Sequence, residues 1–195
     1  MHAVDSRYAW WRLAASVTLS TFGAVGMWGV VVIFPNLQAE FAASRAEVSL
    51  SYTTTMLGFG AGSILLGRMI DRKGAFATML LATVLTSGGY ALAALSPSLL
   101  VFAAIQGVLI GFGSAAAFIP LVADTSHWFA RRRALAMAIC ASGNYLGGAL
   151  WPKLTEILVR QTDWRTTYLT VAAICLVGML PACLVLRPRS PAVNT

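Results

Sequence analysis

The chain has 195 residues, of which 58% are hydrophobic and only 11% are charged, and its formal net charge is +7. A mean hydropathy of +0.74 is too high for a soluble domain, so we expect an integral, multi-pass membrane protein. The positive charge does not indicate nucleic-acid binding, because the Lys and Arg residues lie in short segments between apolar runs and form no basic face interleaved with aromatic residues.

Six apolar runs are each long enough to cross a bilayer as a helix, which takes about 20 residues. We predict an all-α membrane protein in which residues 1–190 form one six-helix bundle and residues 191–195 begin a linker or tail. The first run is too long for a signal peptide, and five more follow it. The predicted helices, numbered 1 to 6, cover residues 13–34, 49–66, 76–95, 99–122, 134–151 and 166–186.

Helix 1 has a glycine at every third position between residues 23 and 29, which gives it a surface for close helix packing. Trp28 stands in that surface. It either packs against lipid or protein, or forms a rigid aromatic wall of a substrate cavity. A loop over residues 36–47 is predicted next, and its serines and Glu47 favour a helix start near Val48.

The segment between helices 2 and 3 reads Gly67-Arg68-Met69-Ile70-Asp71-Arg72-Lys73-Gly74. We predict a tight cytoplasmic hairpin in which Gly67 lets another backbone approach and Gly74 takes the positive φ that ends a turn. Asp71 is then a carboxylate at the membrane surface, placed to pair with a cation or a helix N-terminus as a conformational latch. The alternative is a plain turn whose Arg68 and Arg72 mark the cytoplasmic side.

Helices 4 and 5 carry few polar side chains. Gln106 is the most polar residue of helix 4, and an amide at bilayer depth must find a partner. It either forms hydrogen bonds between helices or binds a substrate. Helix 5 offers Asn144 and Tyr145. We predict that these three residues line one cavity together with Trp28.

Residues 127–129, His-Trp-Phe, are predicted to form an interfacial aromatic belt, and three arginines follow, Arg131, Arg132 and Arg133. This basic belt is the strongest cytoplasmic signal in the chain. Segments on its side of the predicted bundle hold ten Lys and Arg residues, and those on the other side hold four. We therefore predict that both termini are cytoplasmic, in a plasma (inner) membrane.

A weak internal repeat occurs at an offset of 85 residues. Because this offset spans three helices, the second copy would be inverted in the membrane, which is the pattern of a 3+3 inverted repeat around a midplane site. Helices 3 and 6 do not take part. The matching pairs are Gly26 and Gly111, Pro35 and Pro120, Gly58 and Gly143, Gly62 and Gly147, Arg68 and Lys153, and Asp71 and Glu156.

The Gly-x-x-x-Asp-Arg-x-Gly spacing of residues 67–74 resembles the loop between helices 2 and 3 of the major facilitator superfamily. It departs at its end, where Ala75 and Phe76 replace two basic residues. Further residues resemble the monocarboxylate and oxalate–formate porter group of that superfamily. They are Ala46-Glu47-Val48-Ser49, Trp128, the run Arg131-Arg132-Arg133-Ala134-Leu135-Ala136, Ser142-Gly143, Gly147-Gly148, Pro152 and Trp164-Arg165.

This resemblance covers the first six helices of a family whose members have twelve. It implies the N-terminal half of a secondary transporter that works by alternating access around a cavity lined by helices 1, 2, 4 and 5, with a small organic anion such as a monocarboxylate as solute. Animal monocarboxylate carriers have Phe-Pro-Lys where this chain has residues 34–36, Phe-Pro-Asn, so Asn36 joins the predicted cavity without the lysine. Gly107 stands where the wider family has an arginine.

No ionisable residue falls between the predicted ends of any helix, so the charged groups for coupling and anion binding are expected in a second half. The predicted partners are the lipid bilayer, a small solute, and a second six-helix half or a second copy. The alternative is a stand-alone six-helix protein that dimerises or serves as a scaffold. We predict no enzyme, cofactor or metal site, because the two histidines and three apolar-embedded cysteines form no catalytic or metal-ligand cluster.

Overall fold

The structure is a computed structural model, and it describes residues 4–188. The predicted tail over residues 191–195 lies outside this range, as does the end of the predicted bundle. Within residues 4–188 the regular structure is helical throughout. Its six long segments are α1 (Arg7–Phe41), α2 (Arg45–Lys73), α3 (Ala75–Ala94), α4 (Leu99–Ser126), α5 (Arg133–Gln161) and α6 (Trp164–Val185).

Five of these segments, all except α2, are long and apolar enough to cross a membrane. The middle of α2, residues 49–63, is rich in Ser, Thr and Gly, which lowers its hydropathy. The all-helical membrane class is thus confirmed with five candidate spans. A sixth span and the 3+3 repeat remain predictions.

Both α1 and α4 are interrupted shortly before a proline. A proline ring removes one backbone donor and clashes with the carbonyl four residues earlier, which breaks or bends a helix there. The segment α1 consists of α-helices Arg7–Gly23 and Val25–Trp28, a 3₁₀ turn Val30–Ile33 and an α-helix Phe34–Phe41. The segment α4 consists of an α-helix Leu99–Ile105, a π-helical stretch Gln106–Gly111, and α-helices Phe112–Ala115 and Ile119–Ser126.

The connection from α1 to α2 is shorter than predicted, because helix covers the first part of the expected loop. The chain turns at Ala42, which has a positive φ of 48°. Ser44 then caps α2 in a capping box with Glu47, in which the Ser44 hydroxyl accepts the Glu47 backbone N–H and the Glu47 carboxylate accepts the Ser44 N–H. The helix therefore begins at Arg45 instead of Val48.

The predicted eight-residue hairpin between helices 2 and 3 is wrong. The segment α2 remains helical through Lys73, and Gly74 alone separates it from α3. Gly74 has a φ of 87°, as predicted for the residue that ends this turn. A Cβ added at Gly67 would meet no described atom within 4 Å. The close backbone approach predicted at Gly67 is therefore not made within residues 4–188.

Glycines set the closest helix contacts in the bundle. At four positions on α2 and α5, an added Cβ would lie within 3 Å of a backbone carbonyl oxygen on α4 or α1, so only glycine fits. These contacts let the backbones of α2 and α4, and of α5 and α1, touch directly. They pair Gly58 with Gly107, Gly62 with Phe112, Gly143 with Val17 and Gly147 with Thr21.

A buried ion pair joins α1 to α4 at one end of the bundle. Arg12 Nη2 lies 2.8 Å from Asp124 Oδ2, and the two side chains are only 3% and 11% exposed. Arg12 Nη1 also donates to the Pro188 carbonyl oxygen at 3.2 Å. The sequence placed both charged residues outside the spans, but α1 and α4 are longer than predicted and enclose them. We call this end the basic end, since Lys73 and Arg187 lie there too.

The aromatic belt predicted beside the basic end is wrong. Trp128 and Phe129 are 1% and 3% exposed, so they do not face the membrane interface. Trp128 packs on Tyr8 with ring centroids 5.5 Å apart, and Phe129 packs on Trp10 at 5.2 Å. The chain folds back onto the start of α1 here, where the Asp5 N–H donates to the Trp128 carbonyl oxygen at 3.1 Å, and both rings gain aromatic partners on α1.

A second charged cluster ties α1, α3 and α6 together at the opposite end. Arg165 Nη2 donates to Glu40 Oε1 at 2.6 Å and to the Ser96 carbonyl oxygen at 3.0 Å. The Trp164 indole N–H also donates to Glu40. Arg165 stacks on the Trp164 ring, with its guanidinium carbon 4.5 Å from the ring centroid. The end of α1 is thereby fixed to the start of α6.

Valine at Gly58 is expected to destabilise the bundle, whereas valine at Gly60 is the matched control in the same helix. A Cβ at residue 58 would strike the Gly107 carbonyl, but a Cβ at residue 60 has open space. Overpacking costs about 1–3 kcal/mol of unfolding free energy. Denaturation of both variants in detergent, followed by tryptophan fluorescence, measures the difference. Equal losses would mean that helix propensity, and not this contact, decides the effect.

Asparagine at Asp124 is expected to lower the unfolding free energy by about 3–5 kcal/mol, because it leaves Arg12 buried without a counter-charge. The double variant with leucine at both positions should be more stable than D124N, since it removes both charges from the interior. The same detergent denaturation assay compares them. A double variant less stable than D124N would show that the pair itself stabilises the fold.

Candidate functional site

A shallow recess opens on the side of the bundle where α1, α2 and α5 meet. About 590 Å³ of it is not filled by protein atoms, part of this space being open to solvent. The walls are mostly apolar and aromatic, which is typical of sites that bind small organic molecules. The residues that line it are Met27, Trp28, Val31, Val32, Tyr52 and Pro152.

The break in α1 shapes this recess. Val30 and Ile33 of the 3₁₀ turn are fully buried, whereas Val31 is 50% exposed and Trp28 is 37% exposed. A 3₁₀ turn has three residues per turn, so it directs every third side chain to the same side. The turn therefore anchors α1 in the core with one set of side chains and presents another set to the recess.

The α5 wall of the recess is built around a glycine. A Cβ at Gly148 would lie 3.1 Å from the Trp28 ring, so the indole rests against the α5 backbone. Tyr145, one turn earlier on α5, is 69% exposed. Tyr145 and Gly148 are three residues apart on α5, so they lie on neighbouring parts of the α5 surface.

Asn144 precedes Tyr145 on α5 and is 6% exposed. Its amide forms no hydrogen bond with any residue in the described range, 4–188. An amide without a protein partner can form hydrogen bonds with water or with a ligand. Asn144 is thus a polar group available to a bound molecule.

Gln106 occupies a different place from the other predicted cavity residues. It is fully buried between α1, α4 and α6. Its Nε2 donates to the Gly26 carbonyl oxygen at 3.5 Å, and its Oε1 accepts the Tyr168 hydroxyl at 3.4 Å. Tyr90 similarly donates to the Val25 carbonyl at 3.0 Å. Of the two predicted roles of Gln106, these contacts match hydrogen bonding between helices.

Asn36 lies beyond the recess, half-buried in the last helical part of α1. Of the five residues predicted for the cavity, Trp28 lines the recess, whereas Asn36, Gln106, Asn144 and Tyr145 are not among its lining residues. Sequence reasoning missed Tyr52, although an aromatic residue within the Ser- and Thr-rich start of α2 is a signal that could have indicated it.

The predicted latch residues lie at the basic end. Asp71 is exposed at the end of α2, with Arg68 and Arg72 exposed on the same helix. No ion pair or hydrogen bond joins the Asp71 carboxylate to another residue of the described segment. The carboxylate is therefore accessible, and its neighbouring arginines do not neutralise it by direct contact.

The predicted basic belt lies at the start of α5, where Arg131 and Arg132 precede the helix and Arg133 is its first residue. The side chains of Arg131, Arg132 and Arg133 are exposed. The Arg133 guanidinium donates to the Ser126 hydroxyl at 3.1 Å, and the backbone N–H of Arg131 donates to the Asp5 carboxylate at 3.2 Å. The belt thus shares an end of the bundle with Asp71 and with the Arg12–Asp124 pair.

The three cysteines are buried, free thiols at Cys140, Cys175 and Cys183. Within residues 4–188 no group of three His, Cys, Asp or Glu side chains is arranged to hold a metal ion. The recess itself therefore offers shape, aromatic surface and a few hydrogen-bonding groups.

Comparison with known proteins identifies the family. The model of the Major Facilitator Superfamily matches residues 17–195. Human monocarboxylate transporter 6 is 31% identical over 180 residues, which are 90% of this chain and 35% of that protein. The mouse protein of the same name is 30% identical over 178 residues, which are 90% of this chain and 38% of the mouse protein. The MFS-type transporter pytF of Aspergillus terreus is 29% identical over 171 residues, covering 88% and 58%.

The chain therefore spans between 35% and 58% of the length of these three relatives. The similarity extends through nearly all of this chain, and it includes the residues that shape the recess and the end of α2. Because the family model covers most of the sequence, the chain belongs to the major facilitator superfamily.

Proposed function

We propose that this chain is the first six-helix half of a secondary active transporter, and that it moves a small solute by alternating access. The observation that carries the proposal is the recess between α1, α2 and α5, which has aromatic walls. The Asn144 amide on α5, which forms no hydrogen bond within residues 4–188, is the polar group that we assign to the same site. Family membership supplies the function class. Alternating access requires a site between two bundles, and this recess is open on one side of a single bundle.

The inverted 3+3 repeat is part of this proposal, and the helix contacts support it. Two glycines on α2 pack against the α4 backbone, and their counterparts 85 residues later on α5 pack against the α1 backbone. The interruptions correspond as well. The 3₁₀ turn before Pro35 and the turn before Pro120 fall at the same offset. Equivalent glycine contacts and equivalent helix interruptions are expected when the two sets of three helices are copies of one repeat.

Transport also requires α2 to cross the membrane as the sixth span. Its neighbours support this, since α2 packs along α4 through Gly58 and Gly62, and α4 is itself a candidate span. The exposed face of α2 is apolar, with Leu57 69% exposed and Ile64 60% exposed. Such a face is suited to lipid or to a second bundle.

The proposed solute is an organic anion such as a monocarboxylate. This follows from the two relatives that are named monocarboxylate transporters, and from the donors that the site offers. The Asn144 amide and the Tyr52 hydroxyl can donate to a carboxylate, and Trp28 can cover its apolar part. The lining residues carry no charge. The cation that neutralises the anion is therefore expected from the facing half, which is also where a coupling group belongs.

We further propose that the basic end faces the cytoplasm of a plasma (inner) membrane, with both termini on that side. In this arrangement Asp71 completes a latch with a cation or helix N-terminus of the second half. Its exposed, unneutralised carboxylate supports this role.

The second candidate is a stand-alone six-helix protein that dimerises or acts as a scaffold. Gly60 and Gly67 on α2 favour it, because no described atom occupies the space beside them. Small residues of this kind allow close approach of another helix, and a second copy of the chain could supply it.

Uptake by proteoliposomes tests the proposal. Purified chain is reconstituted alone, at a dilution where crosslinking shows only monomer, and in parallel as the protein that contains a second six-helix half. A panel of labelled monocarboxylates reports saturable counterflow. We expect counterflow only with the second half present. Counterflow by monomer would contradict the two-half mechanism, and flux that appears only with crosslinked dimer would favour the self-assembling alternative.

Leucine at Asn144 is expected to reduce transport of a monocarboxylate by about three- to tenfold, because one hydrogen bond to the solute is lost. Alanine at Trp28 should raise KM by removing an aromatic wall. Alanine at Trp11, which is 74% exposed near the start of α1, is the matched control for loss of an indole. Initial uptake rates, normalised to folded protein, give the comparison. Normal transport by N144L and W28A would remove this face from the solute site.

Replacing Gln106 with leucine distinguishes a role in stabilising the fold from a role in binding the solute. We expect it to lower the unfolding free energy by about 1–3 kcal/mol, because the buried Tyr168 hydroxyl and Gly26 carbonyl lose their partner. Transport per folded molecule should stay close to that of the wild type. Thermal unfolding and uptake are measured on the same preparation. A large fall in uptake with unchanged stability would instead assign Gln106 to the solute site.

A further inference from the structure

A second recess lies at the basic end, away from the proposed solute site. It is formed where the start of α1, the turn between α2 and α3, and the ends of α4 and α6 come together. About 720 Å³ of it is not filled by protein atoms, part of this space being open to solvent. Its lining consists of residues 70–76 and 186–188 together with Arg12, Asp124 and His127.

The charges around this recess do not balance. With histidine neutral, four permanent cations face two carboxylates, which leaves a net charge of +2. The four basic residues come from α1, the end of α2 and the end of α6, so they surround the recess and do not form one row on a single helix. They are Arg12, Arg72, Lys73 and Arg187, against Asp71 and Asp124.

The existing contacts use only part of this positive charge. Arg12 and Asp124 neutralise each other at 2.8 Å in the buried wall. The Arg187 guanidinium carbon lies 5.3 Å from the Phe76 ring centroid, a contact that leaves its charge uncompensated. Arg72 and Lys73 have no carboxylate within 4 Å among residues 4–188. Three cations and Asp71 therefore remain for a ligand.

We propose that this recess binds a phosphate monoester group. Such a group carries about −1.5 to −2 charges at pH 7, which matches the excess of the lining. It also has several acceptor oxygens in different directions, so it can accept from the guanidinium and ammonium groups at the ends of α2 and α6 at once. A carboxylate, with one negative charge and two oxygens in a plane, matches this arrangement less well.

Two sources supply this chemistry. One is the headgroup of an anionic phospholipid of the phosphatidic acid type. Basic pockets between helices at the membrane surface suit such headgroups, and Phe76 and Leu186 offer apolar contact for the glycerol and the first methylene groups. The other source is a soluble phosphate ester. Both place the phosphate between the end of α2 and the end of α6.

The test uses the full chain in detergent micelles, where no charged membrane surface attracts lipid nonspecifically. Phosphatidic acid, phosphatidylcholine and oleate are titrated, and native mass spectrometry counts bound molecules. We expect one tightly bound phosphatidic acid per chain and at least about tenfold weaker binding of the other two. Equal binding of oleate would overturn phosphate recognition, and binding of none of the three would overturn the site.

The variant is R72Q/K73Q, and the control is R131Q/R132Q, which removes two equally exposed arginines that do not line the recess. Each basic side chain contributes about a fivefold effect near an anionic group, so the first variant should bind phosphatidic acid about 25-fold more weakly. The control should stay within about threefold of the wild type. If both variants lost affinity for phosphatidic acid equally, binding would reflect general charge attraction and the recess would be refuted as the site.

A further titration with glycerol 3-phosphate identifies the source. Displacement of phosphatidic acid at millimolar concentration supports recognition of the phosphate itself and includes soluble esters as ligands. If phosphatidic acid stays bound, and R72Q/K73Q still binds it about 25-fold more weakly than the wild type, the phospholipid is the source of the phosphate. Displacement that is identical in the wild type and in R72Q/K73Q would contradict the proposal.

Discussion

The bundle depends on direct contact between helix backbones. Lipid chains are as apolar as leucine, so a membrane bundle gains little from burying apolar side chains and relies instead on close packing. Glycines 58 and 62 on α2 and 143 and 147 on α5 make this contact with carbonyl groups of α4 and α1. With α1 and α5 held together, Trp28 comes to rest on Gly148 and the recess acquires its shape.

Sequence patterns predicted the features that depend on local chemistry. The helical membrane class and the positive φ of Gly74 both follow from hydropathy and backbone preferences. Features set by tertiary contacts were not predictable in this way. The Arg12–Asp124 pair formed because two helices were longer than their apolar runs, and the aromatic belt was lost because Trp128 had a partner on α1.

In the candidate site, too, the sequence indicated which residues are distinctive but not which tertiary contacts they make. Trp28 stood out as an aromatic residue in the glycine-rich surface of the first helix, and it lines the recess. Gln106 was equally prominent as a polar residue, but its side chain points toward α1 and α6. Its amide donates to the Gly26 carbonyl oxygen on α1 and accepts from the Tyr168 hydroxyl on α6. Polarity alone cannot distinguish a residue that serves the fold from one that serves a ligand. The direction of the side chain decides, and that depends on which helices are neighbours.

The 3₁₀ turn of α1 divides that helix into two parts with different attachments. The longer part is clamped to α5 by the glycine contacts, whereas the last part is clamped to α6 through Glu40, Trp164 and Arg165. A turn with poorer hydrogen-bond geometry than an α-helix is easier to bend. Val30 and Ile33 of this turn are fully buried, so the junction between the two parts is itself packed in the core. Residues 30–33 therefore set the angle between the part of α1 that carries Trp28 and the part that carries Glu40.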